Sequence, residues 1–166
     1  LHDALPICLQ TNKVKYIAPF ISFIHSVDSM KLLKEINKQA AKHDRIVSCL
    51  LQIRIADEET KFGLSFSEAE ALLQNEEFSY LKNIIVAGLM GMSTFTNDAD
   101  KISREFKSLK DFFDKLKSSF FFDNKDFKET SMGMSGDYEI AMEEGSTMIR
   151  VGSAIFGERV YNRSQV

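Results

Sequence analysis

Apolar residues follow two different spacings along this chain of 166 residues, and the changes of spacing predict alternating strands and helices. Short β-branched or aromatic runs are typical of strands, and five of them are "ISFIHSVDS", "RIVSCLLQIRI", "LKNIIVAGLMGM", "KDFKETSMGMS" and "TMIRV". Between these runs, apolar residues three or four positions apart predict helices. The predicted helices lie in "MKLLKEINKQAAKH", "SFSEAEALLQ", a long segment from about Asp98 to Ser118, and "GDYEIAMEE".

Strict alternation of strand and helix predicts an α/β fold with a parallel sheet and right-handed crossovers. The sheet could be doubly wound or part of a (β/α)8 barrel, and periodicity does not choose between them. The run "RIVSCLLQIRI" is apolar on both faces, as expected for a strand that helices cover on one side and a barrel interior covers on the other. Ser65 and Glu68 have the spacing of a capping box, which predicts a helix start.

Composition predicts one compact domain, because 44% of the residues are hydrophobic and 27% are charged. The net charge of -3 argues against nucleic acid or an anionic membrane surface as a partner, since both attract clustered basic residues. The longest apolar runs are too short to cross a bilayer. Cys8 and Cys49 form no CxxC pair, so we expect neither a disulfide framework nor a metal site. This cysteine usage favours a reducing, cytoplasmic setting.

The first eight residues, "LHDALPIC", have neither the basic flank nor the apolar block of a secretory signal. We expect residues 1–8 to be a non-native leader and residues 9–166 to belong to a single domain.

The glycine-rich end of the chain carries the candidate chemistry. Gly133, Gly136 and Gly152 follow two predicted strands and allow the backbone to approach a ligand closely, while Ser135 and Ser153 add hydroxyl donors. Because the carboxyl ends of parallel strands meet at one edge, these loops predict an anion-binding cup, with phosphate as its occupant. The alternative is that the glycines only form tight turns.

Arg150 stands two residues before Gly152 within an apolar strand. A buried guanidinium needs a partner, because it does not lose its charge. That partner could be a structural carboxylate or a ligand.

The segment "SMGMSGDYEIAMEEGSTMIRVGSAIFGER" resembles the C-terminal signature of the pyridoxal 5'-phosphate homeostasis protein family. The resemblance continues upstream through "LQTNKVKYI", "IHSVDS", "LLQIRIADEETKFGL" and "VAGLMGM", and so spans Leu9 to Arg159. It implies an incomplete (β/α)8 TIM barrel of the alanine racemase N-terminal type, with about five of the eight strands present.

The resemblance also implies which residues contact pyridoxal 5'-phosphate. Ser135, with Met134 beside it, would hold the phosphate together with Gly152 and Ser153, and Arg150 would face the pyridine nitrogen. An arginine donates and does not accept, so the nitrogen facing it is expected to stay unprotonated.

Two further residues are weaker candidates for cofactor binding. By the resemblance, Lys61 falls where alanine racemase has a basic residue near the phenolic oxygen of the cofactor. It could equally be an exposed loop lysine. Met90 would pack beneath or beside the ring, although a methionine there is more commonly a core residue. His25 is more typical of a hydrogen-bonded barrel residue than of a catalytic base.

By this resemblance the protein binds pyridoxal 5'-phosphate for intracellular homeostasis and delivery, without catalytic turnover, and no catalytic residue is expected. Its partners would be apo forms of enzymes that use this cofactor, and the full-length protein would be a monomer. The family's Schiff-base lysine lies on the first barrel strand, so we expect this chain to be N-terminally truncated and to lack it. The alternatives are an amino-acid racemase that uses the same cofactor and an unrelated phosphate-binding barrel enzyme.

Overall fold

A computed structural model describes residues 9–56 and 62–157, and the expected leader and Lys61 lie outside these residues. Five strands form one sheet: β1 (Phe23–Val27), β2 (Val47–Ile53), β3 (Ile84–Gly91), β4 (Glu129–Met134) and β5 (Met148–Arg150). In the described part of the chain, six helices accompany them: α1 (Val14–Ile17), α2 (Met30–Ala41), α3 (Phe66–Gln74), α4 (Ala99–Ser119), α5 (Tyr138–Glu143) and α6 (Ser153–Phe156). Short 3-10 helices occupy Thr11–Lys13 and Glu76–Tyr80. The predicted alternation is confirmed.

The order of the strands decides between the two predicted sheets. Each strand pairs in parallel with the next one along the chain, giving the order β1-β2-β3-β4-β5. A doubly wound sheet reverses its strand order at a switch point, whereas a barrel adds its strands in sequence. The fold is therefore the sheet and helix arrangement of a partial (β/α)8 barrel.

The main core lies between the sheet and its helices. Leu33 and Ile36 of α2, Leu51 of β2 and Phe106 and Leu109 of α4 are all at most 1% exposed. They belong to one continuous apolar cluster, which fixes the helices on the outer face of the sheet. The buried stripes of α2 and α4 follow the helical spacing of the sequence.

The inner face of the sheet has a smaller apolar cluster. It consists of Leu50, Ala87 and Met90, with partly buried neighbours that include Phe23 and Ile85. Residues of β2 thus pack on both faces, as its continuous apolar run predicts.

Local capping signals also behave as the sequence predicts. The Ser65 side chain accepts from the backbone N–H of Glu68, and the Glu68 carboxylate accepts from the backbone N–H of Ser65, 2.8 Å away. Asp98 caps α4 by accepting from the backbone N–H of Lys101. Among residues 9–56 and 62–157, no helix has the length and apolar character needed to cross a membrane.

Candidate functional site

A cleft of about 700 Å³ lies where β3, β4 and β5 end. In a parallel sheet of this kind, ligands bind at the carboxyl ends of the strands, where the loops present backbone N–H groups. The lining comes from three segments that follow these strands: residues 93–97 after β3, residues 134–137 after β4, and residues 152–157 with Arg150 at β5. Ile102 of α4 adds an apolar contact.

Arg150 joins β5 to its neighbour β4 and to the end of β3, two strands away. Its Nη1 donates to the Ser131 carbonyl at 2.9 Å and to Ser131 Oγ at 2.5 Å, and its Nη2 donates to the Gly91 carbonyl at 3.1 Å. A guanidinium has five N–H donors, so these contacts leave donors for a ligand that accepts. Burial lowers the pKa of Arg150, and the nearby Asp137 carboxylate opposes that shift. The cleft therefore contains a fixed cation.

Ser131 connects Arg150 to His25 on the inner face of the sheet, because its hydroxyl is within hydrogen-bond distance of both side chains. Ser131 Oγ lies 3.1 Å from His25 Nδ1. Because Arg150 can only donate, Ser131 Oγ accepts from it and is left to donate its proton to His25 Nδ1. This arrangement requires a neutral His25 with its proton on Nε2. Burial, and then the charge of Arg150, lower the pKa of His25 below its ordinary value, which agrees with a neutral imidazole.

Ser135 connects the loops that follow β4 and β5. Its Oγ accepts from the backbone N–H groups of Gly152 and Ala154, each at 3.3 Å. A serine hydroxyl has two acceptor lone pairs and one proton, so these bonds occupy its acceptors and leave its proton for a ligand. A Cβ placed on Gly136 or Gly152 would meet no heavy atom within 4 Å, so the backbone is open to the cleft at both positions.

Asp137 ties the ends of β3 and β4 together. Its Oδ1 accepts from the backbone N–H of Met134 at 2.6 Å, and its Oδ2 accepts from Ser93 Oγ at 2.6 Å. The Met134 amide is therefore engaged by a carboxylate, while the Met134 side chain, 40% exposed, lines the cleft.

The arrangement suits an anionic ligand with an additional hydrogen-bond acceptor. Serine hydroxyls, open glycine backbone and a cation are typical of phosphate recognition. Within the described parts of the chain, no group of three metal-ligating side chains is present.

The structure brings together five of the seven residues that the sequence suggested. Met134, Ser135, Arg150, Gly152 and Ser153 all line the cleft.

The two weaker candidates lie elsewhere. Met90 is 4% exposed in the inner-face cluster and is not part of the cleft lining, so its contact with a ring stays a prediction. Lys61 lies outside the described residues, and its role also stays a prediction.

Sequence reasoning missed Ser93, Ser131 and Asp137 as parts of this site. Asp137 precedes a helix, where an acidic residue is ordinarily understood as a cap. Ser131 lies within a strand, and only the pairing of β4 with β5 brings it to Arg150. No local pattern in the sequence indicates that contact.

Comparison with known proteins identifies the family of this chain. Residues 5–160 match the family described as alanine racemase, N-terminal domain. The pyridoxal phosphate homeostasis protein of Aquifex aeolicus is 38% identical over 154 residues, which are 92% of this chain. The chain spans 65% of the length of that relative.

Solved structures share the fold. PipY of Synechococcus elongatus without pyridoxal phosphate superimposes with a TM-score of 0.81 at 30% identity, covering 90% of this chain and 68% of PipY. PipY with pyridoxal phosphate bound gives 0.78 at 29% identity, covering 90% and 67%. An alanine racemase of Clostridium difficile gives 0.61 at 17% identity, covering 93% and 41%, and this similarity concerns the fold alone.

Proposed function

The chain belongs to the alanine racemase N-terminal domain family and, within it, to the pyridoxal phosphate homeostasis proteins, and from this premise we propose that it binds pyridoxal 5'-phosphate in the cleft at the ends of β3, β4 and β5. Its role is to hold this cofactor for intracellular homeostasis and delivery in the cytoplasm, without turnover of its own. The observation that carries the proposal is the partly buried Arg150 guanidinium beside the Ser135 and Gly152 loops.

The residues of the cleft fit the cofactor in size and in chemistry. A volume of about 700 Å³ is within the range of small-molecule sites. The cofactor has an anionic phosphate ester and a ring nitrogen that accepts a hydrogen bond. Ser135 has a proton to donate, Gly136 and Gly152 leave their backbone open, and Arg150 retains N–H donors.

In this proposal Ser135, Gly152 and Ser153 hold the phosphate. The hydroxyl of Ser135 would donate to a phosphate oxygen, and the hydroxyl of Ser153, which also lines the cleft, would add a further donor. Fixed donors of this kind bind a phosphate ester without a large reorganisation of the protein. Met134 provides apolar contact at the edge of the cleft.

Arg150 has the role of facing the pyridine nitrogen. Its hydrogen bonds to Ser131 and Gly91 hold the guanidinium between two strands, and Arg150 can only donate a proton. When bound, pyridoxal 5'-phosphate supplies an electron-withdrawing ring, and that ring withdraws electron density less strongly when its nitrogen is unprotonated. The site therefore favours storage of the cofactor over chemistry that needs a strong electron sink.

The titratable groups of the cleft support a carrier over a racemase. Among the described residues that line it, the titratable side chains are Asp137 and Arg150, and both oxygens of Asp137 accept hydrogen bonds. No lysine is among these lining residues. From the resemblance to the family, we propose that the amine that links to the cofactor lies outside this chain. We also propose that apo-enzymes receive the cofactor from a monomeric protein.

The test uses the protein encoded by the complete reading frame, loaded with pyridoxal 5'-phosphate and then gel-filtered. We expect a yellow protein whose cofactor is trapped by borohydride on a lysine outside this chain. Ser135→Ala and Arg150→Ala should each weaken retention by about 1–3 kcal/mol, because each removes charge-assisted hydrogen bonds. Retention is measured from the absorbance that co-elutes with the protein and from the yield of trapped peptide.

Arg45→Ala is the matched control, because Arg45 also donates to backbone carbonyls, those of Pro19 at 2.9 Å and Ile21 at 2.8 Å. It precedes β2, at the opposite end of the sheet from the cleft. This control should retain the cofactor as the parent does. The proposal would be contradicted if borohydride trapped no cofactor on the protein. It would also be contradicted if both cleft variants retained the cofactor as well as the parent does.

A further inference from the structure

The Asp137 carboxylate lines the proposed phosphate cleft, yet the proposed phosphate contacts do not use it. A negative charge beside a phosphate ester is repulsive and weakens binding unless it contributes something else. Each of its oxygens accepts a short bond of 2.6 Å, one from the Met134 amide and one from Ser93 Oγ. Hydrogen bonds to an ionised acceptor are stronger than neutral ones, so Asp137 is a firm anchor.

The first of these bonds fixes the turn that presents Ser135. Met134 N–H donates to the Asp137 carboxylate, and Asp137 N–H donates back to the Met134 carbonyl at 3.2 Å. These two bonds close the turn of residues 134–137 on itself. Ser135 lies within this turn, and its Oγ reaches the Gly152 and Ala154 amides of the next loop.

The second bond fixes that turn relative to the neighbouring strand. Ser93 is 4% exposed and follows β3, so its bond to Asp137 connects the ends of β3 and β4. Ser135 connects β4 to the loop after β5, and Arg150 connects β5 back to Gly91 of β3. The three strand ends are thus joined in a closed ring of side-chain bonds.

The start of β4's turn is also packed against α5. Gly133 has φ +87°, and a Cβ there would lie 2.7 Å from Ala141 Cβ. The turn therefore has a packed base at Gly133 and a polar anchor at Asp137. Asp137 can be substituted while Gly133, which forms the packed base, is left unchanged.

From this geometry we propose that Asp137 is a positioning residue that makes the cleft selective for phosphorylated over unphosphorylated pyridoxal. It holds the Ser135 hydroxyl where a phosphate ester can receive its proton, acting through the Met134 amide and Ser93. The inference rests on the proposed function, since it concerns the phosphate group of the same ligand. Positioning comes from the two hydrogen bonds, so a neutral side chain that keeps both bonds should still hold the turn.

The test compares pyridoxal 5'-phosphate with pyridoxal, which has the same carbonyl and ring but no phosphate. Equilibrium dialysis of the protein from the complete reading frame gives the dissociation constant of each ligand. Asp137→Ala should raise the constant for the phosphorylated ligand about tenfold and that for pyridoxal less than about twofold, because two charge-assisted bonds are lost near the phosphate alone.

Asp137→Asn separates hydrogen bonding from charge. Its amide can still accept from Met134 and can donate to Ser93 Oγ, so binding should remain within about twofold of the parent or tighten. Ser93→Ala should lower the preference for the phosphorylated ligand by a smaller factor than Asp137→Ala. Glu68→Ala is the control, because Glu68 also accepts from a backbone N–H but is not a cleft residue.

The outcomes distinguish this inference from the proposed function. Equal weakening of both ligands by Asp137→Ala indicates a purely structural role and overturns the inference, as does an unchanged preference. Either result leaves the proposed function standing if the parent protein prefers the phosphorylated ligand. A parent that binds neither ligand overturns both. If Asp137→Ala does not fold, an unchanged preference in Ser93→Ala overturns the inference, and a reduced preference supports it.

Discussion

At the scale of single residues, His25, which is partly buried near Arg150, makes the stability of the fold depend on pH. Burial, and the charge of Arg150, lower the pKa of His25 below 6.5 in the folded state. The unfolded chain therefore binds a proton at a higher pH than the folded protein does. The stability that the neutral histidine contributes is fully present above the pKa of the unfolded chain. It is lost as the pH falls from there through the lower pKa of the folded protein.

We expect the free energy of unfolding to decrease as the pH falls through and below about 6.5, the ordinary pKa of histidine, and His25→Gln to make that decrease smaller. Glutamine can still accept from Ser131 but does not titrate in this range. Urea unfolding at several pH values measures the effect. His43→Gln is the control for replacing a histidine by glutamine, because His43 is exposed after α2 and lies outside the cleft. An identical slope in His25→Gln would exclude the role of His25.

Residues of the site were predictable from sequence only where their chemistry is unusual for their position. Ser135, Gly152 and Ser153 form Gly and Ser pairs at strand ends, and Arg150 is a cation within an apolar strand. Asp137 was not predictable, because an acidic residue before a helix is ordinary. Its bond to Ser93 spans 44 positions in sequence, and only the pairing of β3 with β4 brings the two together.

At the scale of secondary-structure elements, the contact between β3 and β4 depends on Gly88. It has φ +154°, and a Cβ there would lie 1.8 Å from the Glu129 carbonyl oxygen. Gly88 pairs with Glu129 at the point where β4 begins. Any side chain at this position must separate β3 from β4, two of the three strands whose ends form the cleft.

Gly88→Ala should destabilise the fold by more than about 3 kcal/mol, since the clash is with backbone and exceeds ordinary overpacking. Gly136→Ala is a matched control with nothing within 4 Å of the new methyl group, and its stability should remain within about 0.5 kcal/mol of the parent. Circular dichroism during urea unfolding measures both variants. A stable Gly88→Ala variant would show that the two strands can separate without loss of the fold.

The elements themselves were predictable because their signals are local. The stripes of α2 and α4, the Ser65 cap and the apolar run of β2 each require only neighbouring residues. Strand order was not predictable from periodicity, because the spacing of apolar residues does not state which strand lies beside which. The resemblance to a known family supplied the barrel, and the sequential pairing of the strands confirms it.

At the scale of the whole molecule, the two ends of the sheet differ in the contacts that hold them together. Where the strands begin, turns such as residues 42–46 connect α2 to β2, and Arg45 donates to backbone carbonyls there. Where β3, β4 and β5 end, the contacts are the ring of side-chain bonds through Ser93, Asp137, Ser135 and Arg150. Ligand binding should therefore consolidate one end of the molecule and leave the other unchanged.

Hydrogen exchange followed by mass spectrometry can test this asymmetry. At a concentration 100 times its dissociation constant, a ligand that binds only the folded state stabilises it by about 2.7 kcal/mol. Amides of residues 134–136 and 152–156 should exchange more slowly with pyridoxal 5'-phosphate, because the long Ser135 bonds of 3.3 Å are reinforced by phosphate contacts. The turn at residues 42–46, which exchanges by local opening, should not change. Pyridoxal without phosphate should protect the cleft loops less, and protection confined to the β1 side of the sheet would place the cofactor at another site.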